Sequence, residues 1–196
     1  PVLLNSVAAE QPVNRSQLVR LFTHFASASE LISQIRWLDD KGHEQVRINI
    51  HQGEVTVVPQ AKLQNKQSRY YFQQGMSQPD NQVFLSPIDL NMENGQLSRP
   101  LQPTLRATIR TGAFMQLQPG LLVINYDLRP LFQRLRGLST QDEDLKVVNA
   151  KGYWLLSQDK NKEWGQFLDN PGQTLVAEAP DVWQKIQSGQ GTGSLM

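Results

Sequence analysis

The chain has 196 residues, 39% of them hydrophobic and 19% charged, a composition that supports one large or two small folded cores and argues against intrinsic disorder. Its 19 basic and 18 acidic side chains leave a formal net charge of +1, which gives no electrostatic footprint for nucleic acid or an anionic membrane surface. With no cysteine, disulfides, iron–sulfur clusters, thiolate zinc sites and cysteine nucleophiles are excluded. No stretch approaches the ~18 consecutive apolar residues of a membrane helix. The opening PVLLNSVAAEQPV lacks the basic start and cleavage site of a signal peptide. The start at Pro1 and the Gly/Ser-rich ending QSGQGTGSLM read as cuts through a longer polypeptide.

Residues 3–28 read as one or two helical pieces, with Pro12 in the first turn of the second. Leu18, Leu21, Phe22 and Phe25 share one helical face, and Asn14 or Ser16 can cap the start. A strand meander follows: Ile32, Ile35, Trp37, Val46, Ile48, Ile50, Val55 and Val57 alternate around the turn signals Asp39-Asp40-Lys41-Gly42 and Gln52-Gly53. Tyr70, Tyr71 and Phe72 read as aromatics at a loop-to-strand junction, a pocket wall, with a loop from Gln73 to Gln82. Strands are expected at Val83–Ser86, Leu105–Thr111 and Gly120–Tyr126, separated by Asn94-Gly95, Pro100, Pro103 and Pro119-Gly120, in a mainly antiparallel sheet.

Residues 128–138 form a short amphipathic helix with Leu128, Leu131, Phe132, Leu135 and Leu138 on one face, and Asp127 can be its N-cap. A second, smaller strand-like unit begins at LKVVNAKGYWLLSQ with a Lys-Gly turn. It continues through a loop with a docked aromatic to a helix from about Pro180 to Gln187, with Pro180 in its first turn. The fold class is therefore α+β, with an opening helix.

Catalytic signatures are missing. His24, His43 and His51 lack metal-motif spacing, and there is no nucleophile elbow, phosphate loop or dinucleotide fingerprint. Asp39, Asp40, Glu44, Asp89, Glu93 and Asp127 can pair as acid and base in a hydrolase, although turn forming and solvation account for most of them. More informative is the density of arginine among aromatic and polar residues: Arg47, Arg69, Tyr71, Phe72, Asn91, Glu93, Arg106 and Arg110. Guanidinium groups bind carboxylates bidentately, and rings enclose apolar or cationic portions, so the set suits a small anionic or zwitterionic ligand. The alternative is structural, with Arg47 paired to Glu44 or Glu93 and the tyrosines in the core.

The segments IRWLDDKGHEQVRINIHQGEV, SRYYFQQGM, FLSPIDLNMENGQL, PTLRATI, GLLVINYDLRPLF and LKVVNAKGYWLLS occur in an order that resembles the double Cache, or PDC-like, sensor regions of bacterial histidine kinases, diguanylate cyclases and chemoreceptors. The similarity covers roughly residues 14–187. It implies a long N-terminal helix packed on two PAS-like antiparallel sheets, the second smaller and truncated. The implied parts are a helical region at 1–28, a membrane-distal ligand-binding domain with its connecting helix at 29–138, and a membrane-proximal domain at 139–196. It also implies a periplasmic location, anchoring through flanking segments, a homodimer contact along the N-terminal helix, and no cofactor. Amino-acid-binding members carry an Arg, an aromatic pair and a later Tyr-x-Asp. Arg69 with Tyr71 and Phe72 matches the first part, and Asp127 is the counterpart of the final acid, but Asn125-Tyr126-Asp127 puts Tyr directly before Asp. The resemblance thus implies a sensor for a small carboxylate or amino acid, with a protein-interaction module and a carboxylate-dependent hydrolase as the other readings.

Overall fold

The computed structural model describes residues 15–93, 95–112, 119–140 and 144–189. The chain divides into two compact units: the first takes residues up to Asp89 and Gln102–Leu128, the second Leu90–Leu101 and the chain from Arg129 onward.

In the first unit, helix α1 spans Arg15–Ala26 and buries Leu18, Phe22 and Ala26 at spacings of four, the single stripe that a helix on a sheet presents. The expected residues 3–14 and the Asn14 cap lie outside the described residues. Three antiparallel strands follow, β1 (Ile32–Asp39), β2 (Glu44–His51) and β3 (Glu54–Val57). The β1–β2 turn is built by Asp39, whose Oδ1 accepts the backbone N–H groups of Lys41 and His43. Gly42, at φ 79°, then takes the left-handed conformation that a side chain disfavours.

Next come α2 (Tyr70–Met76), β4 (Val83–Leu85), β5 (Asp89–Leu90), β8 (Pro103–Thr111) and β9 (Gly120–Asp127). The main sheet has seven strands in the order β3-β2-β1-β9-β8-β4, with β5 also on β8. Returning β9 to lie between β1 and β8 aligns Ile35 with Ile124, Arg36 with Val123 and Arg106 with Asn125.

Because side chains alternate along a strand, this register sorts the sheet into two faces. Ile35, Trp37, Val46, Ile48, Leu122 and Ile124 form one apolar face that packs with Leu18 and Phe22 of α1. Each fully buried large aliphatic or aromatic side chain there contributes roughly 1.5–3 kcal/mol. Leu38, Leu121 and Val123 lie on the other face, under Tyr71 and Phe72 of α2. Phe84 of β4 adds to this apolar patch, and the neighbouring positions on β1, β2, β8 and β9 are polar.

Tyr70, Tyr71 and Phe72 thus open a helix, and Gln73–Met76 continue it, where a loop was expected. Tyr71, Phe72 and Gly75 bury against the sheet at positions i, i+1 and i+4, and that packing overrides the modest helix preference of the segment. Gly75 permits the approach, since a Cβ there would stand 2.5 Å from Thr108 Oγ1.

The second unit holds a small hairpin of β6 (Met92–Glu93) and β7 (Gln96–Leu97), then α3 (Arg129–Arg136), a second hairpin of β10 (Val147–Val148) and β11 (Trp154–Leu156), α4 (Leu175–Glu178) and α5 (Pro180–Gln187). The expected Lys-Gly turn and terminal helix are present; α4 was not anticipated. Phe132 of α3 meets the docked Trp164 edge-on at 5.9 Å. Arg136 donates to the carbonyl of Ser157 at 2.8 Å and pairs with the Glu163 carboxylate. The expected apolar face of α3 is only partly covered: Phe132 is buried, whereas Leu131 and Leu138 are exposed. The fold is α+β, one large antiparallel sheet accompanied by two two-stranded sheets.

Candidate ligand site on the polar sheet face

Alternation places Gln34 and Arg36 of β1, Arg47 and Asn49 of β2, Arg106 and Thr108 of β8, and Asn125 of β9 on the face opposite α1. Arg36, Arg47, Arg106, Gln34 and Asn125 are buried there. Buried polar groups need partners, and most of these side chains close into a ring. Arg36 Nη1 donates to Glu44 Oε1 at 3.1 Å, and Nη2 donates to Asn125 Oδ1 at 3.1 Å. Asn125 Nδ2 donates to Gln34 Oε1, Gln34 Nε2 to Asn49 Oδ1, and Arg47 Nε to the same Asn49 oxygen. Arg47 Nη1 lies 3.5 Å from Glu44 Oε2 and completes the circuit. Glu44 Oε2 also accepts the backbone N–H of Gln64, whose side-chain oxygen accepts from the buried Lys66.

A second cluster stands on β8. Arg106, only 1% exposed, donates to Asp89 Oδ1 at 2.6 Å, while the Tyr70 hydroxyl donates to Asp89 Oδ2 at 2.6 Å. Burial disfavours the Arg106 charge, but the Asp89 carboxylate beside it more than offsets this, and its pKa is raised. Burial first, and then the adjacent Asp89 charge, push the Tyr70 phenol up to about 12, so it remains a neutral donor at physiological pH.

The two clusters meet at Tyr71. The Cζ atoms of Arg106, Arg36 and Arg69 lie 5.0, 5.4 and 5.9 Å from its ring centroid, within the range where a guanidinium is attracted to an aromatic face. Tyr70 packs edge-on against the same ring at 5.8 Å. The Nε atoms of Arg36 and Arg106 are buried with no hydrogen-bond partner.

Of the residues singled out in the sequence, the structure brings Arg69, Tyr71 and Arg106 together and links Arg47 to them through the ring. Phe72 is core beneath them, with Leu38, Leu121 and Val123. Asp127 lies at the end of β9 opposite Thr104, on the same face as Asn125. Asn91 and Glu93 belong to the second unit, where Asn91 Nδ2 donates to Ser98 Oγ across the small hairpin. Arg110 forms a half-exposed ion pair with Asp80 at 3.5 Å. Glu44 and Asp89, read as turn-forming or solvated, are instead buried and ion-paired. Arg36, Lys66 and Asn125 went unnoticed as site residues, and Tyr70 was visible only as part of an aromatic pocket wall. The signal for Arg36 was its place between Ile35 and Trp37, which assigns it to the opposite face.

A family model described as bacterial histidine kinase, sensor domain, matches residues 1–194. Among solved structures, the extracellular domain of vpHK1S-Z8, a protein described as a histidine kinase, is similar with 26% identity and TM-score 0.78, over 95% of this chain and 67% of that one. A domain of a sensory box/GGDEF family protein from Vibrio parahaemolyticus is similar with 26% identity and TM-score 0.79, over 93% and 69%. The ligand-binding domain of the Pseudomonas fluorescens chemoreceptor CtaA, in complex with L-serine, shares the fold at 16% identity and TM-score 0.53, over 91% and 68%. Comparison with curated proteins found no match.

Proposed function

The chain belongs to the bacterial histidine kinase sensor domain family, and from that premise we propose that its first unit binds a small carboxylate-bearing solute on the polar sheet face, as the input of an extracytoplasmic receptor. A sensor domain is the non-catalytic input of its receptor; a kinase or diguanylate cyclase output would be carried by other parts of the protein. Flanking segments anchor it in the inner membrane, its periplasmic side faces the solute, and α1 provides a contact between two copies. No described helix is long and apolar enough to cross a membrane.

The observation that carries this reading is the buried arginine face. Burying ionised groups costs several kcal/mol each, and hydrophobic replacements of buried ion pairs are often neutral or stabilising. Three arginines on a sheet face that could have been apolar therefore suggest selection for recognition. Guanidinium forks match carboxylates, and the Tyr71 ring supplies an apolar surface beside them. Solved relatives bind zwitterions, CtaA with L-serine among them, which supports a small-solute role for the fold.

Signalling requires the solute to favour one of two conformations, because equal affinity for both shifts nothing. A thermal-shift screen of the purified chain against carboxylates, amino acids, polyamines and nucleobases tests the reading. A ligand at about 100 times its Kd should stabilise the fold by about 2.7 kcal/mol, and Arg106→Gln should abolish the shift. A shift that survives both Arg106→Gln and Arg36→Gln would place the site elsewhere.

A further inference from the structure

The polar face of the first unit buries two ion-paired carboxylates, Glu44 and Asp89, and they are held in different ways. The Glu44 side chain is 0% exposed. One of its oxygens accepts from Arg36, and the other accepts the backbone N–H of Gln64 and lies beside Arg47. It stands on β2, an eight-residue strand paired on both sides. Asp89 instead receives two side-chain donors, Arg106 Nη1 on one oxygen and the Tyr70 hydroxyl on the other, each at 2.6 Å. Its strand, β5, has two residues and pairs with β8 off the main path of the sheet. The Asp89 side chain is 11% exposed against 2% for that of Arg106, so the carboxylate is the accessible member of this pair.

The donors, by contrast, are fixed by contacts that do not involve Asp89. The backbone N–H of Arg106 donates to Ser86 Oγ at 2.9 Å, and its carbonyl accepts the Ser86 N–H at 2.8 Å. Its guanidinium lies 5.0 Å from the centroid of the Tyr71 ring, against which Tyr70 packs edge-on. A guanidinium and a phenol that converge on the two oxygens of one carboxylate form a carboxylate receptor, and Asp89 of the chain itself is the group they hold.

We infer that Arg106 and Tyr70 are the subsite for the solute's carboxylate and that Asp89 is an internal competitor, which the solute displaces; the inference rests on the site proposed above. Exchanging one carboxylate for another keeps the buried Arg106 charge partnered, which avoids the cost of breaking a buried pair from one side. It releases the carboxylate that is tied by the shorter strand and the fewer donors. The Tyr71 ring beside the guanidinium then offers an apolar wall for the carbon body of the solute. Both contacts at the subsite are hydrogen-bond donors, so an ammonium group does not fit there. With Arg106 and Tyr71 1% and 2% exposed, the subsite is closed while Asp89 occupies it. The apparent affinity for a solute is therefore lowered by the fraction of molecules in which Asp89 is released.

The test is isothermal titration of propionate, succinate, L-alanine and propionamide into the unaltered chain and into Asp89→Asn. Asparagine keeps an acceptor for Tyr70 and lacks the charge that competes for Arg106. At least one carboxylate should bind Asp89→Asn about tenfold or more tightly than the unaltered chain, as removal of an internal competitor requires. Adding Arg106→Gln to the same variant should abolish that binding, and propionamide should bind neither chain. Asp40→Asn removes one exposed negative charge elsewhere and should change the affinity by less than about twofold, since exposed charges are screened. If Asp89→Asn does not fold in buffer, propionate or succinate should restore its cooperative thermal transition at concentrations where propionamide and chloride do not.

Carboxylate binding that is equal or weaker in Asp89→Asn, and still lost with Arg106→Gln, would overturn the displacement and leave the proposed site standing. The same holds for a gain that Asp40→Asn reproduces, for a weakening confined to L-alanine, which would make Asp89 the holder of an ammonium group, and for an unfolded Asp89→Asn that no carboxylate restores. Binding of no carboxylate to either chain would overturn both the inference and the carboxylate-binding reading of this face.

Discussion

Asp89 is held by two donors, the Arg106 guanidinium and the Tyr70 hydroxyl, and each arm makes a separate prediction. Asp89→Ala leaves the Arg106 charge buried without its partner, and breaking a buried pair from one side costs about 3–5 kcal/mol. Asp89→Asn, which keeps an acceptor for Tyr70, should cost less. Urea denaturation would measure both, and a loss below about 1 kcal/mol for Asp89→Ala would mean that the pair is not buried as described. The Tyr70 arm acts at alkaline pH. Because its folded pKa is raised to about 12 from 10, the unfolded chain releases this proton first as pH rises. The contribution is fully present below about pH 10 and is lost as pH rises toward 12. Tyr70→Phe should therefore have a shallower alkaline loss of stability than the unaltered chain between those values, and parallel curves would contradict the assignment.

The same residues show what a sequence can carry. Arginines among aromatics were visible by type, and strand alternation around Ile35 and Trp37 was enough to place Arg36 on the second face. The pairings were not visible. Glu44 sits next to a turn and looks solvated until β1 brings Arg36 to it, and Asp89 meets Arg106 only because β5 joins the edge of β8.

Among the elements, those defined by local chemistry were legible: the β1–β3 meander by alternation and turn residues, the β10–β11 hairpin by its Lys-Gly turn, and α5 by Pro180. Helix α2 was not, because its seven residues carry no cap signal, and only contact with the sheet makes a helix of YYFQQGM. That dependence can be tested at Gly75. In a helix exposed to solvent, Gly→Ala stabilises by roughly 0.5–1 kcal/mol. Here the added Cβ would stand 2.5 Å from Thr108 Oγ1 and 3.0 Å from Leu121 Cδ1, so Gly75→Ala should destabilise by about 1–3 kcal/mol, as overpacking does. Thr108→Ala should recover part of that loss in the double variant. Additive effects in the double-mutant cycle would mean that α2 does not sit on β8 in this way.

For the whole molecule, the chain passes between the two units at Asp89–Leu90, Leu101–Gln102 and Leu128–Arg129. The first of these crossings begins at the residue that Arg106 holds. A solute competing for Arg106 would thus act on the last residue before the chain enters the second unit. Amide exchange should report this connection: Asp89→Ala should accelerate exchange in the β6–β7 hairpin that follows, and unchanged protection there would remove the crossing from the account.

The most direct measurement of the central claim is a titration followed by NMR through the arginine side-chain Nε–Hε resonances of the labelled chain, using the ligand that gives the largest thermal shift in the screen. The Arg36 and Arg106 resonances, whose Nε groups are buried without a hydrogen-bond partner, should move together and saturate at a single Kd. Perturbation confined to Arg129, Arg134 and Arg136 of the second unit, with Arg36 and Arg106 unmoved, would contradict a binding site on the first unit's arginine face.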